Sequence, residues 1–330
     1  MELAISLNLN EFLKQNLFFM NEIKILKNRS DIGAGTRGSD MGIDALEIAA
    51  INSGHDFFNR YAFVDIQTHN ETVYNKVKNT TAKRIKFVVD QCERLKTATK
   101  ETLEQKQFPL ILSGDHSSAL GSLAGIKSAY PEQTIGVIWI DAHADLHTPF
   151  SSPSGNVHGM PLAAALGHDN ADQKINSVSP ETIADWEQMK HMGTVSPILR
   201  PEHLIYFGVR DTEYQEDAII DRCAIKNYPV HEVRHRTVEV CILEALSRLS
   251  EVDMIYITFD VDALDCDLIS YGTGTPVSKG FDPKEVIAII QGIRASGKVV
   301  ALEVCEINPL LDHKGNRMAE AAFEVLDALF

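Results

Sequence analysis

The chain has no Cys-x-x-Cys pair, no block of lysine or arginine, and no apolar run near the roughly 18 residues of a membrane helix. Its five cysteines (Cys92, Cys223, Cys241, Cys266 and Cys305) are scattered and odd in number. That argues against a disulfide framework or a cysteine-based zinc site and reads as thiols in a reducing compartment. Basic residues are in deficit, 31 against 46 acidic ones, for a net charge of −15. Such a balance disfavours nucleic acid and anionic membranes as partners and favours a cationic substrate, or metal ions that neutralise clustered carboxylates. Glycine and proline are modest at 20 and 12 of 330 residues, and no linker, repeat or low-complexity stretch interrupts the chain. Residues 1–330 therefore read as a single domain, long enough to bury about 75% of its unfolded surface. Met1–Met20 carries Glu2, Glu11 and Lys14 among apolar residues and has neither a basic start nor a small-residue cleavage site. It reads as an N-terminal extension of a cytoplasmic protein rather than a signal peptide.

What is present is alternation. Short β-branched runs at Glu22–Lys27, Tyr61–Ile66, Pro109–Leu112, Ile135–Ile140, Leu204–Val209, Ala224–Val230, Met254–Phe259 and Val299–Glu306 predict eight strands. Amphipathic stretches lie between them. Val238, Ile242, Ala245, Leu246 and Leu249 share one helix face. A second helix is signposted by Asp282 as N-cap, Pro283 in the first turn and Glu285 as the capping-box acid. Its stripe is Val286, Ile289, Ile290 and Ile293, with Gly297 where it should stop. The pattern predicts an α/β fold, a three-layer α/β/α arrangement around an eight-stranded, mostly parallel sheet. The polar stretch 169–201 reads as an excursion containing one helix.

Chemistry concentrates where three of these strands end. Residues 135–159 read IGVIWIDAHADLHTPFSSPSGNVHG, an apolar strand running into Asp141, His143 and Asp145. On an extended chain these alternate positions face one side. Asp-x-His alone also fits a solvated loop with a helix cap. Met254–Asp265 repeats the pattern with Asp260 and Asp262, and Phe108–His116 ends in Gly114-Asp115-His116. Parallel strands thus deliver His116, Asp141, His143, Asp145, Asp260 and Asp262 to the carboxyl edge of the sheet, where ligands bind in such folds. Six oxygen and nitrogen donors without cysteine suit manganese or a similar divalent metal. Four carboxylates balance the charge of two such ions.

These motifs, with Ser154-Gly155-Asn156-Val157-His158-Gly159, Gly274-Thr275-Pro276 and Glu306-Ile307-Asn308-Pro309, resemble those of the ureohydrolases, the family of arginases and agmatinases, and most closely the arginases. They occur in family order over about nine-tenths of the chain. The resemblance implies two manganese ions (Mn2+), a small cationic guanidine substrate and a homo-oligomer, usually a trimer or hexamer. It implies one ion on His116, Asp141, Asp145 and Asp260 and the other on Asp141, His143, Asp260 and Asp262. A hydroxide bridging the two would attack the guanidinium carbon, giving urea and, from L-arginine, L-ornithine. Catalytic roles fall to His158 as proton shuttle, to Glu306 as the acid that pins the guanidinium nitrogens, and to Asp145 on the first ion. His147, Ser154, Asn156, Glu213, Glu216 and Thr275 are implied substrate contacts. Each accessory residue has a plainer reading: Glu306 as an exposed strand-end acid, His158 as a cap for the 161–166 helix, Thr275 as part of a turn.

Arginases usually carry Asn where this chain has His147 and Asp where it has Glu213, so agmatine or a guanidino acid is the alternative to arginine. Two-metal phosphoester hydrolysis would use similar ligands, but Arg210 is the main cation among the motif loops that could clamp a phosphate. A non-catalytic family member would be expected to have lost a ligand, and all six positions are filled. Gly33-Ala34-Gly35-Thr36-Arg37-Gly38 spells G-x-G-x-x-G, yet Asn28–Ile32 separate it from the strand it should follow directly. The ureohydrolase resemblance implies instead an N-terminal loop bordering the active-site side.

Overall fold

The computed structural model describes residues 22–330; the expectation for Met1–Met20 lies outside them. All eight predicted strands form: β1 Ile23–Asn28, β2 Ala62–Asp65, β3 Phe108–Ser113, β4 Ile135–Ile140, β5 Leu204–Phe207, β6 Lys226–Tyr228, β7 Met254–Asp260 and β8 Val299–Cys305. They pair in parallel throughout, in the order β2-β1-β3-β8-β7-β4-β5-β6.

Helices cover both faces. Period-two alternation sends successive side chains of a strand to opposite sides. Ile138 and Ile140 of β4 join one apolar cluster with helices Gly42–Asn52, Val238–Arg248, Pro283–Arg294 and Arg317–Leu329. Val137 and Trp139 join the other, with Ile85–Glu104, Ala119–Ala129, Pro180–Lys190 and Tyr214–Cys223. Strands buried on both faces must be apolar at every position, which is why β4 reads IGVIWI. The Pro283–Arg294 helix has the expected capping box, with the Asp282 side chain accepting from Glu285 N and Glu285 from Asp282 N. Val286, Ile289, Ile290 and Ile293 are fully buried. In 169–201, Ser179 caps a helix at Pro180–Lys190 that buries Trp186.

The strand order matters for function. β3, β8, β7 and β4 are consecutive neighbours at the centre of the sheet. Their carboxyl ends therefore lie side by side, although they are far apart in sequence.

Candidate active site

Above those four strand ends is a cavity of about 270 Å³. Of the expected ligands, catalytic groups and substrate contacts, all but Asp141 and Glu306 line it, and those two are almost wholly buried.

His116 follows β3 at a turn built by Asp115. The Asp115 carboxylate accepts from Ser117 N at 2.9 Å, from the Ser117 hydroxyl, and from Gly33 N at 2.8 Å. The His116 ring stacks on Trp139 at 4.1 Å, and its Nε2 contacts the Thr258 hydroxyl at 2.8 Å. That contact aims Nδ1 at three carboxylates: Asp141 at 3.0 Å, Asp145 at 3.1 Å and Asp260 at 3.2 Å. His143 Nδ1 lies 2.9 Å from Asp262 and 3.6 Å from Asp141.

The extended-chain argument for Asp141, His143 and Asp145 needs correction. β4 ends at Ile140, the chain then bends, and Asp145 adopts a left-handed φ of 51°. The three side chains converge because the loop folds over the strand end, with His143 N donating to Asp141 at 2.7 Å. Glu306, just past β8, is also left-handed, with φ 66°. Such strain in non-glycine residues persists where surrounding contacts over-determine it, commonly at functional sites.

The electrostatics are those of crowded acids. Burial, and then the charges of Asp262 and Asp141, push the Asp260 carboxyl well above its ordinary range. Burial and Asp141 together push Asp145 up to about 6. Burial would also raise Asp141, but hydrogen bonds from His116 and His143 override it and hold that carboxyl low. Four carboxylates packed around two imidazoles need a further positive charge. Two buried atoms here, His116 Nδ1 and Asp145 Oδ2, have no partner in good hydrogen-bond geometry. The donor atoms of His116, Asp141 and Asp145, and those of Asp141, His143 and Asp262, cluster within 4.8 Å. An imidazole-carboxylate set with unsatisfied atoms facing one another fits divalent cations.

Glu306 is not an exposed acid. It is 1% accessible, accepts from His116 N at 3.0 Å and pairs with His158 Nδ1 at 2.9 Å, while its second oxygen is buried without a partner. Burial works to lower the His158 imidazole, and the Glu306 carboxylate overrides it, pushing it up to about 9. His158 therefore caps no helix: Met160 holds the N-cap position of Pro161–Ala165. The Thr275 hydroxyl donates to Asp262 at 3.0 Å, which ties the turn to the site.

Farther out, Glu213 and Glu216 form the capping box of Tyr214–Cys223. His147 Nε2 lies 2.7 Å from Glu213, so the two positions that depart from the arginase pattern contact each other. Ser154 is exposed on the rim, its hydroxyl accepting from Asn156 N at 3.1 Å. Arg210 is spent on backbone carbonyls, donating to Ser278, Gly208, Asp262 and Val277 at 2.8–3.1 Å, and is not free to clamp a phosphate. The glycine loop packs on the site: Gly33 O accepts from His158 N at 3.1 Å.

Sequence reasoning missed three supporting residues. Thr258 stands two positions before Asp260 on β7 and Trp139 two before Asp141, which directly follows β4, so period two could have found them. Asp211, with Oδ2 3.6 Å from His143 Nε2, carried no signal of its own.

The family model described as "Arginase family" matches residues 22–330. The arginase of Bacillus subtilis (strain 168) is 33% identical over 309 residues, covering 93% of this chain and 97% of that one. The arginase of Bacillus caldovelox is 32% identical over 314 residues, covering 94% and 98%. The crystal structure of the B. caldovelox enzyme superposes with a TM-score of 0.79 at 31% identity, covering 94% of this chain and 98% of its own.

Proposed function

The chain belongs to the arginase family, hydrolases of amidine C–N bonds, and from that premise we propose that it converts L-arginine and water to L-ornithine and urea. The observation that carries the reading is the pair of half-satisfied sites on the cavity floor. Buried His116 Nδ1 and Asp145 Oδ2 lack partners on one side, and Glu306 Oε2 lacks one on the other. Two manganese ions would be held there, one by His116, Asp141, Asp145 and Asp260, the other by Asp141, His143, Asp260 and Asp262. Divalent ions held by these residues would lower the pKa of a bound water from 15.7 towards about 7 and so supply a nucleophile at neutral pH.

The chain's own groups do the rest. The free oxygen of Glu306 accepts a guanidinium N–H, a charge-assisted hydrogen bond that orients the planar cation with its carbon towards the floor. The other Glu306 oxygen holds His158 by Nδ1, leaving Nε2 to pass a proton to the departing amine. Asp145, between His116 and the cavity, is the acid best placed to relay protons from the floor. Thr275 lines the cavity beside Asp262 and would contribute its hydroxyl near the guanidinium.

His147, Ser154, Asn156, Glu213 and Glu216 surround the end of the cavity where the rest of the substrate lies. The reading extends to a single-domain protein acting as a homo-oligomer, a trimer or hexamer. A cytoplasmic setting is supported by five free thiols. No helix of the described residues is long and apolar enough to cross a membrane. The test is formation of ornithine and urea from arginine by the manganese-loaded protein. Equimolar products support the reading; phosphate release from a phosphomonoester with no urea would replace it.

A further inference from the structure

The sequence argues against a site built from cysteines, yet one of the five lies under the floor of the cavity. Cys305 ends β8 and pairs in parallel register with Asp260, which ends β7, so the two side chains stand side by side. It precedes the Glu306-Ile307-Asn308-Pro309 motif and belongs to none of the segments that carry the family resemblance. Its thiol is fully buried and free. The acceptors it reaches, Asp260 Oδ2 at 3.8 Å and Phe259 O at 4.0 Å, are too far for a strong hydrogen bond. The sulfur also lies within 4.8 Å of His116 Nδ1, a buried nitrogen without a partner in good hydrogen-bond geometry.

These spacings match the edges of a tetrahedron around one ion. With zinc bonds of about 2.3 Å to sulfur and about 2.0–2.2 Å to nitrogen and oxygen, tetrahedral angles put sulfur about 3.6 Å from oxygen and nitrogen about 3.4 Å from oxygen. Cys305 Sγ is 3.8 Å from Asp260 Oδ2, and His116 Nδ1 is 3.2 Å from that same carboxylate oxygen. Asp145 Oδ2, buried without a partner and 3.1 Å from His116 Nδ1, is at hand as a fourth donor. Which ions use the sulfur is a matter of softness. Manganese is served by oxygen and nitrogen, whereas zinc binds thiolate strongly and stands above manganese in general affinity for such donor sets.

We infer that Cys305 is a further ligand at the first ion position, idle when manganese fills it and engaged by thiophilic divalent ions such as zinc. The inference rests on the two-ion floor proposed above and adds an alternative donor set to it: His116, Asp260 and Cys305, with Asp145 as the fourth. When zinc binds, the S–H bond gives way to a sulfur–zinc bond and the proton passes to water. The position then discriminates against manganese whenever zinc is present. Cys305 thus sets which metal the floor retains.

The test follows metal binding to the full-length, metal-free protein and needs no turnover. Cobalt, a coloured stand-in for zinc, should give the near-ultraviolet charge-transfer band of a sulfur–cobalt bond. Cys305→Val should lack that band while still binding cobalt. Cobalt bound without the band, or a band that survives in Cys305→Val, overturns the inference. Competition between zinc and manganese gives a second readout: Cys305→Val should lower the preference for zinc at least about tenfold, the scale on which changes around a metal alter its affinity. An unchanged preference overturns the inference as well. Cys305→Ser, close to the thiol in size, serves where valine disturbs the fold, and should also lose the band. No cobalt, zinc or manganese bound at all would instead overturn the two-ion floor itself, a result distinct from ions bound without sulfur.

Discussion

On the floor of the cavity, His116, Asp141, His143, Asp145, Asp260 and Asp262 lie within five positions of the end of a central strand. On its rim, each decisive contact joins distant segments: His147 to Glu213, 66 residues on, and Lys83 to Asn156, 73 residues on. The floor is buried and its acids are mutually destabilising without cations, so little can change there without loss of function. The rim is partly exposed and held by pairs. One substitution at His147 matched by another at Glu213 can alter which molecule is accepted and leave the chemistry below untouched.

The sharpest way to break this contrast is on the floor. Asp141→Asn or Asp260→Asn removes a charge that the two proposed ion positions would share, and should abolish both metal retention and urea release, read by metal analysis after gel filtration and by a urea assay. Full activity with two ions bound would show that the floor tolerates change as the rim does.

His158→Asn comes next. It should leave metal content intact and slow turnover about a hundredfold, within the usual range for a lost general acid. The same residue gives a pH signature. Its folded value of about 9 exceeds the ordinary 6.5, so its stabilisation is complete below pH 6.5 and is lost as pH rises through about 9. Glu306 is held below its ordinary 4.5 by His158 against the opposing effect of burial. Its share is present above pH 4.5 and lost as pH falls through the lower folded value. Metal-free protein should therefore show a denaturant midpoint that falls between pH 6.5 and 9 more steeply than that of His158→Asn; parallel curves would deny the pairing.

Gly155→Ala tests the rim as a structure. A left-handed φ and a clash with Thr80 O should cost on the order of 1–3 kcal/mol, seen as a lower Tm with unchanged metal stoichiometry. An unaltered Tm would mean that the 80–83 segment is not locked to the loop. Ser154→Ala is the mildest change. Its exposed hydroxyl should be worth less than about tenfold in KM for arginine, with kcat retained, and a large kcat effect would place it with the floor.

The same contrast explains what could be read in advance. The central strands were legible because a sheet covered on both faces requires apolar runs, whereas the edge strand β2 is exposed at every position; the floor was legible because its acids interrupt those runs at their ends. Boundaries shifted by a residue or two, as at β8, which ends at Cys305 rather than Glu306. The bend after Ile140 was not legible, since an extended chain and a folded loop can bring the same three residues together. Neither was Lys83, one lysine in a mixed stretch, whose meaning arises only when its segment packs on the 154–156 loop. Nor did the sequence tell that His147 and Glu213, the two departures from the arginase pattern, would be partners.

The central claim is that the floor holds two divalent ions and that their presence makes the chain an active ureohydrolase. The direct measurement is urea release from arginine as manganese is titrated into the metal-free protein. Activity should rise to a plateau at two equivalents per chain. A plateau at one equivalent, or two ions bound with no urea formed, would contradict it.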